Sequence, residues 1–177
     1  MQVNFGRVKA IMVVLSLLAA SSFMVAGSVS PAYAEDDASL QCAKEEAKTV
    51  VHATAFGLAE LLKGVKGTKE GIELIRSFIS PIRFYGDNSG YFYVYDYDCV
   101  NIAHTVQKDL QGRNLKDHKD SKGKFVIREL SAAAKQGGGF VEYYWPKAGA
   151  KGESRKIGYV EPIPGTAYFI GTGVYVP

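Results

Sequence analysis

Tyr91, Tyr93, Tyr95 and Tyr97 alternate with Phe92, Val94 and Asp96. Side chains two apart on an extended strand point the same way, so the four phenols share one face. A face that only filled a core would more usually carry Val, Ile or Leu, because a buried phenol hydroxyl must find a partner. Four in succession fit a cavity with apolar walls and hydrogen-bonding tips. The alternative is an aromatic ladder on a half-exposed sheet. Tyr143, Tyr144, Trp145, Tyr159, Tyr168 and Tyr175 carry the enrichment into later segments.

Two cations give such a hollow a chemistry. Arg83 precedes Phe84 and Tyr85 just upstream of the phenols, and Lys156 opens a later segment with Tyr159 three residues on. An arginine pairs with a carboxylate through two parallel bonds, a lysine as a point charge. Each reads equally as a solvated surface charge. His104 is placed to donate to a ligand or to tune a pH response, or else to bond the backbone in a structural role.

Signatures of catalysis are missing. There is no GxSxG elbow, HExxH, P-loop or dinucleotide fingerprint. Gly171-Thr172-Gly173 lies inside a strand-like run and marks close backbone packing rather than a phosphate site. Asp96 and Asp98 are too near in sequence to be given acid and base roles. The chain carries two cysteines and no Cys/His cluster, so neither a metal nor a cofactor is expected. It is read as a non-enzyme, with an exported enzyme using His104 and a nearby Asp kept as a third reading.

The elements that must position these residues follow from periodicity. Residues 38–63 have helical spacing at Val50, Val51, Ala55, Leu58, Ala59 and Leu62. Thr68 can cap a second helix, which runs to Pro81. From Tyr91 the period becomes two, predicting a strand over 91–97 and a return over 100–104. Residues 108–123 are polar and without period, and 125–135 form a short helix stopped by Gly137-Gly138-Gly139. Strands are predicted over 140–145, 155–162 and 168–176. Strands that follow helices and are joined mostly by turns imply an α+β domain with a five-stranded antiparallel sheet. It has a long N-terminal helix, a second helix, and a short helix between strands 2 and 3.

The first 34 residues stand apart. Arg7 and Lys9 make a basic start, an apolar stretch follows, and Ala32-Tyr33-Ala34 closes it before the first acid, Glu35. These are the parts of an export signal in the correct order, cut after Ala34; an uncleaved anchor is the alternative. The product is periplasmic or secreted, a single domain over 35–177. Without Arg7 and Lys9 the net charge falls from +3 to +1. That argues against nucleic acid or an anionic membrane surface as partner. In an oxidising compartment Cys42 and Cys99 are expected either to form a disulfide or to stay as two free, buried thiols.

The run Arg83-Phe84-Tyr85-Gly86, then Gly90 to Asp96, then His104, resembles the opening of a single Cache domain. Gly112-Arg113-Asn114-Leu115, Gly138 to Tyr143, Lys156 to Val160 and Ile170 to Val176 are similar to its later blocks, in the same order. The resemblance covers nearly all of 38–176. It implies a PAS-like sheet and an extracytoplasmic sensor of small organic molecules, often short carboxylates such as acetate, propionate, lactate or pyruvate. By the same resemblance the ligand lies in the sheet's concave pocket. Arg83, Tyr85, Tyr91, Tyr93, His104, Trp145, Lys156 and Tyr159 fall in or beside matching blocks and are the candidate contacts. A homodimer along the long helix is expected on the same ground.

The sequence departs from the family in three places. It stops at Pro177, where receptors of the family generally continue into a second span and a signalling module. Its expected partner is therefore a separate membrane receptor, kinase or transporter. Cys99 stands where a hairpin glycine is common, and Thr166 where a tryptophan is frequent. The functional expectation is a periplasmic small-molecule-binding sensory domain. The alternative is a structural or interaction domain whose pocket is plugged by its own tyrosines.

Overall fold

The computed structural model describes residues 31–176, with side chains from residue 37; most of the leader, residues 1–30, lies outside the described part. Helix α1 (Pro31–Leu62) is followed by α2 (Thr68–Ile79), then β1 (Tyr93–Asp96) and β2 (Asn101–His104). A 3₁₀ turn (Lys108–Leu110) leads to α3 (Val126–Lys135), and β3 (Gly139–Pro146), β4 (Glu153–Pro162) and β5 (Tyr168–Tyr175) complete the chain. The sheet is antiparallel at every pairing, with order β2-β1-β5-β4-β3. The expected α+β architecture is what forms. No helix among the described residues is long and apolar enough to cross a membrane.

Each face of the sheet carries its own core. On one, Ala47, Val51, Ala55 and Leu58 of α1 and Ile75 and Ile79 of α2 cover Phe92, Val94, Ile102 and Ile170. On the other, Val126, Ile127, Leu130 and Ala134 of α3 cover Tyr91, Tyr93, Tyr95, Val160 and Phe169. The period-two alternation of the Tyr91–Tyr97 run thus sorts phenols to the α3 side and Phe92 and Val94 to the α1 side.

Three differences from the sequence reading have physical causes. The regular strand is shorter than 91–97, because Gly90 pairs back to Phe84 in an isolated bridge and the ladder begins at Tyr93. Thr68 does not cap α2: Gly67 holds the cap position and no side chain bonds there. The Cys42–Cys99 disulfide does not form. Cys42 is exposed on α1, whereas Cys99 is buried with the α3-side core, so the sheet separates them. Cys99 sits at the β1–β2 turn with φ of +68°, the left-handed conformation glycine adopts most cheaply. Asp96 holds that turn, its Oδ1 accepting from the amides of Asp98 and Val100 at 3.0 and 2.8 Å.

Candidate functional site

The site begins with glycines. On the α3 side of the sheet, Gly158, Gly171 and Gly173 replace side chains with bare backbone, and aromatic rings lie in the space. A Cβ at Gly158 would stand 2.7 Å from Tyr143 Cε1, and one at Gly171 2.6 Å from Tyr93 Cε2. One at Gly173 would meet Lys156 Cε at 2.8 Å. The close packing expected of the Gly171-Thr172-Gly173 run is thus specific: it seats Tyr93 and the Lys156 stem. Register does the rest, setting Lys156 on β4 opposite Tyr143 of β3 on one side and Tyr175 of β5 on the other.

Tyr93, Tyr143 and Lys156 enclose a cavity together with Tyr91, Tyr95, His104 and Trp145, roofed by Val126, Ile127 and Leu130 of α3. Its volume is about 10 Å³, the room of roughly one water. The rings therefore nearly fill the space they surround.

Lys156 is fully buried. Its Nζ donates to the Tyr91 hydroxyl at 2.8 Å and lies 4.0 Å from the centroid of that ring, with the Tyr175 ring at 4.7 Å. No carboxylate comes within ion-pair distance of it among the described residues. Desolvation alone pulls its pKa down from 10.5 to about 7. A buried cation without a counter-ion is costly, and it is seldom kept where filling space is the only task.

The neutral groups around it are tied in place. His104 Nδ1 accepts from the amides of Gln107 and Val106 at 2.9 and 3.3 Å, which leaves the ring proton on Nε2. Burial, then Lys156 and Arg83, push the His104 pKa down to about 3, so the ring stays uncharged. Gln107 Oε1 also accepts from Trp145 Nε1 at 2.8 Å, joining two walls through one residue. The Tyr93 hydroxyl donates to Thr172 O at 3.1 Å and lies 3.3 Å from the Tyr143 hydroxyl. Burial raises the pKa of Tyr91, Tyr93 and Tyr143, so the phenols remain protonated.

Of the candidates, Tyr91, Tyr93, His104, Trp145 and Lys156 meet at this cavity, and three do not. Arg83 is exposed, bonded to Ile82 O, and lines a separate surface groove with Tyr91. Tyr85, at φ of +63°, turns its hydroxyl to Ala43 O of α1. Tyr159 belongs to the core on the α1 side, with its hydroxyl 3.5 Å from Glu161 Oε2. Sequence reasoning left Tyr95, Tyr143, Tyr175 and Gln107 off the site. The first three belonged to the tyrosine enrichment but needed the strand register to be placed, while nothing in the sequence marked Gln107. His104 bonds backbone amides, and the histidine that meets a carboxylate is His52, 2.8 Å from Glu161 across the α1 side.

A PAS-like sheet with a small polar-tipped cavity under α3 defines an α+β ligand-sensor architecture, and the comparisons give it a family. The profile described as Cache domain matches residues 41–177, and the chain belongs to the Cache domain family. It is 42% identical over 87 residues to the sensor histidine kinase MctS of Rhizobium johnstonii, covering 49% of this chain and 19% of the kinase. The chain thus spans about a fifth of that relative's length. Among solved structures it is similar to a periplasmic sensor domain of a chemotaxis protein, with TM-score 0.66 and 28% identity over 82% of this chain and 98% of the other. It is also similar to a structure described as the basis for carboxylic acid recognition by a Cache chemosensory domain. There the TM-score is 0.68 with 28% identity, over 80% of this chain and 98% of the other.

Proposed function

We propose that this domain is an extracytoplasmic sensor for a short carboxylate, held by Lys156 beneath α3. The observation that carries the reading is the fully buried Lys156 amine, its pKa pulled down to about 7, with no anionic partner among the described residues. A ligand carboxylate would supply the missing charge, taking Nζ in place of the Tyr91 hydroxyl. His104 Nε2–H and the tyrosine hydroxyls would serve its remaining lone pairs. The carboxylic acid recognised by a structural relative supports the same chemistry. The export signal over residues 1–34 supports the location, with cleavage after Ala34, and kinship to a histidine kinase and a chemotaxis protein supports an output to a membrane receptor or kinase.

Because the cavity holds about one water, binding requires the rings to part. The same volume favours a second reading, an interaction domain whose pocket is plugged. A thermal-shift screen against C2 to C4 carboxylates, amines and amino acids separates the two. A ligand at a hundredfold excess over Kd stabilises by about 2.7 kcal/mol, a shift of several degrees for a domain of this size. Shifts confined to carboxylates support the sensor; none with any compound supports the plug.

A further inference from the structure

A cavity with room for about one water raises the question of where a ligand gets in, and the tyrosine it shares with an outer groove answers it. Tyr91 lines the inner cavity and also a surface groove of about 270 Å³ formed with Arg83, Asp87, Val106, Lys147 and Tyr175. Between the two spaces stand two phenols whose hydroxyls are 3.3 Å apart, Tyr91 and Tyr175. Tyr91 is held from within by Lys156 Nζ at 2.8 Å, and Tyr175 from without by Pro146 O, to which it donates at 2.8 Å. The Tyr175 ring has an ammonium on either flank of this route, Lys156 at 4.7 Å and Lys147 at 5.5 Å from its centroid. Elsewhere the cavity is walled by the sheet and by the apolar residues of α3, except at His104, whose ring is fixed by two backbone amides. The hydroxyl pair is a part of the wall that can open by side-chain rotation, with an incoming anion replacing Tyr91 as the partner of Lys156.

The groove outside has the charge to receive an anion. Arg83 is exposed there, donating to Ile82 O, and Lys147 lies 3.8 Å from Asp87, an exposed pair worth little in water. Two cations against one carboxylate leave it net positive.

We infer that this groove is an outer anion-binding station on the entry route, with Tyr91 and Tyr175 as its gate. It rests on the reading of Lys156 as the carboxylate site. A carboxylate is drawn to Arg83 and Lys147, the two phenols swing apart, and the anion exchanges the outer cations for Lys156. Arg83 then governs how fast the ligand arrives instead of how long it stays.

Trp145 is the chain's one tryptophan and lines the inner cavity, so its fluorescence reports arrival. Stopped-flow mixing of the protein with acetate, propionate, lactate and pyruvate gives both rate constants for whichever probe changes the signal. Replacing Arg83→Ala together with Lys147→Ala, both on the surface, is expected to slow association about tenfold at low salt. Dissociation should be unchanged, and the difference should vanish near 1 M salt, where the Debye length is about 3 Å. Tyr175→Ala is expected to speed association and dissociation together. Association by the double variant that matches the unmodified protein in rate and salt dependence overturns the entry route while leaving the Lys156 site standing. No fluorescence change with any of the four acids, in unmodified protein that also shows no thermal shift with them, removes both.

Discussion

Lys156 Nζ rests 2.8 Å from the Tyr91 hydroxyl and 4.0 Å from the centroid of the same ring, fully out of contact with solvent. One phenol thus acts as both hydrogen-bond acceptor and, when Lys156 is protonated, cation–π surface for an amine with no counter-ion among the described residues. Such contacts offset part of a desolvation cost that an anion would offset better.

Lys156→Met keeps the stem and removes the charge. The domain is expected to unfold at the same temperature or higher, since an unpaired buried cation has been replaced by an apolar side chain of similar length. Its thermal shift with carboxylates should disappear. Unfolding curves with and without propionate check both halves.

Proton linkage gives a second outcome. Above pH 7 the folded protein holds Lys156 mostly neutral, while the unfolded chain keeps its proton to about 10.5. This residue therefore makes stability rise with pH between those values and contributes no slope below about 7. A bound carboxylate favours the charged form, so binding at pH 8 should take up close to one proton and binding at pH 6 close to none. His104, neutral down to about 3, and the raised phenols add nothing between pH 6 and 8. Calorimetric titrations in two buffers of different ionisation enthalpy measure the uptake.

Gly158→Ala drives a methyl into Tyr143 and Tyr93 and should cost about 1–3 kcal/mol as overpacking. Gly57→Ala, in α1 with nothing within 4 Å, should instead gain up to about 1 kcal/mol from helix propensity. Denaturant titration of both variants compares them.

The two thiols should differ in reactivity. Cys42 is exposed and is expected to react at once with a thiol reagent, whereas Cys99 is buried with its pKa raised by desolvation, so it should react only on unfolding. A mass two hydrogens lighter than the reduced chain would show a bridge instead.

How much could be read in advance follows from strand parity. Tyr91, Tyr93 and Tyr95 were legible as one buried face because alternation is local, and the glycines of β5 were legible as a close approach. Tyr159 was misplaced because it is three residues from Lys156, and an odd spacing on an unbroken strand crosses the sheet. Arg83 was drawn to the pocket by nearness in sequence to the phenols, although it is exposed and lines the outer groove instead. Tyr143 and Tyr175 join Lys156 only through β3–β4 and β4–β5 register, which long-range pairing sets. The helices and the strand count needed no such information, since their periods are written within single segments.

A crystal structure of the domain soaked in acetate or propionate tests the central claim most directly. The account predicts a carboxylate oxygen within hydrogen-bond distance of Lys156 Nζ, the Tyr91 hydroxyl displaced from it, and a cavity enlarged well beyond 10 Å³. Lys156 still bonded to Tyr91 around a closed cavity at saturating acid, with no density beneath α3, would contradict it.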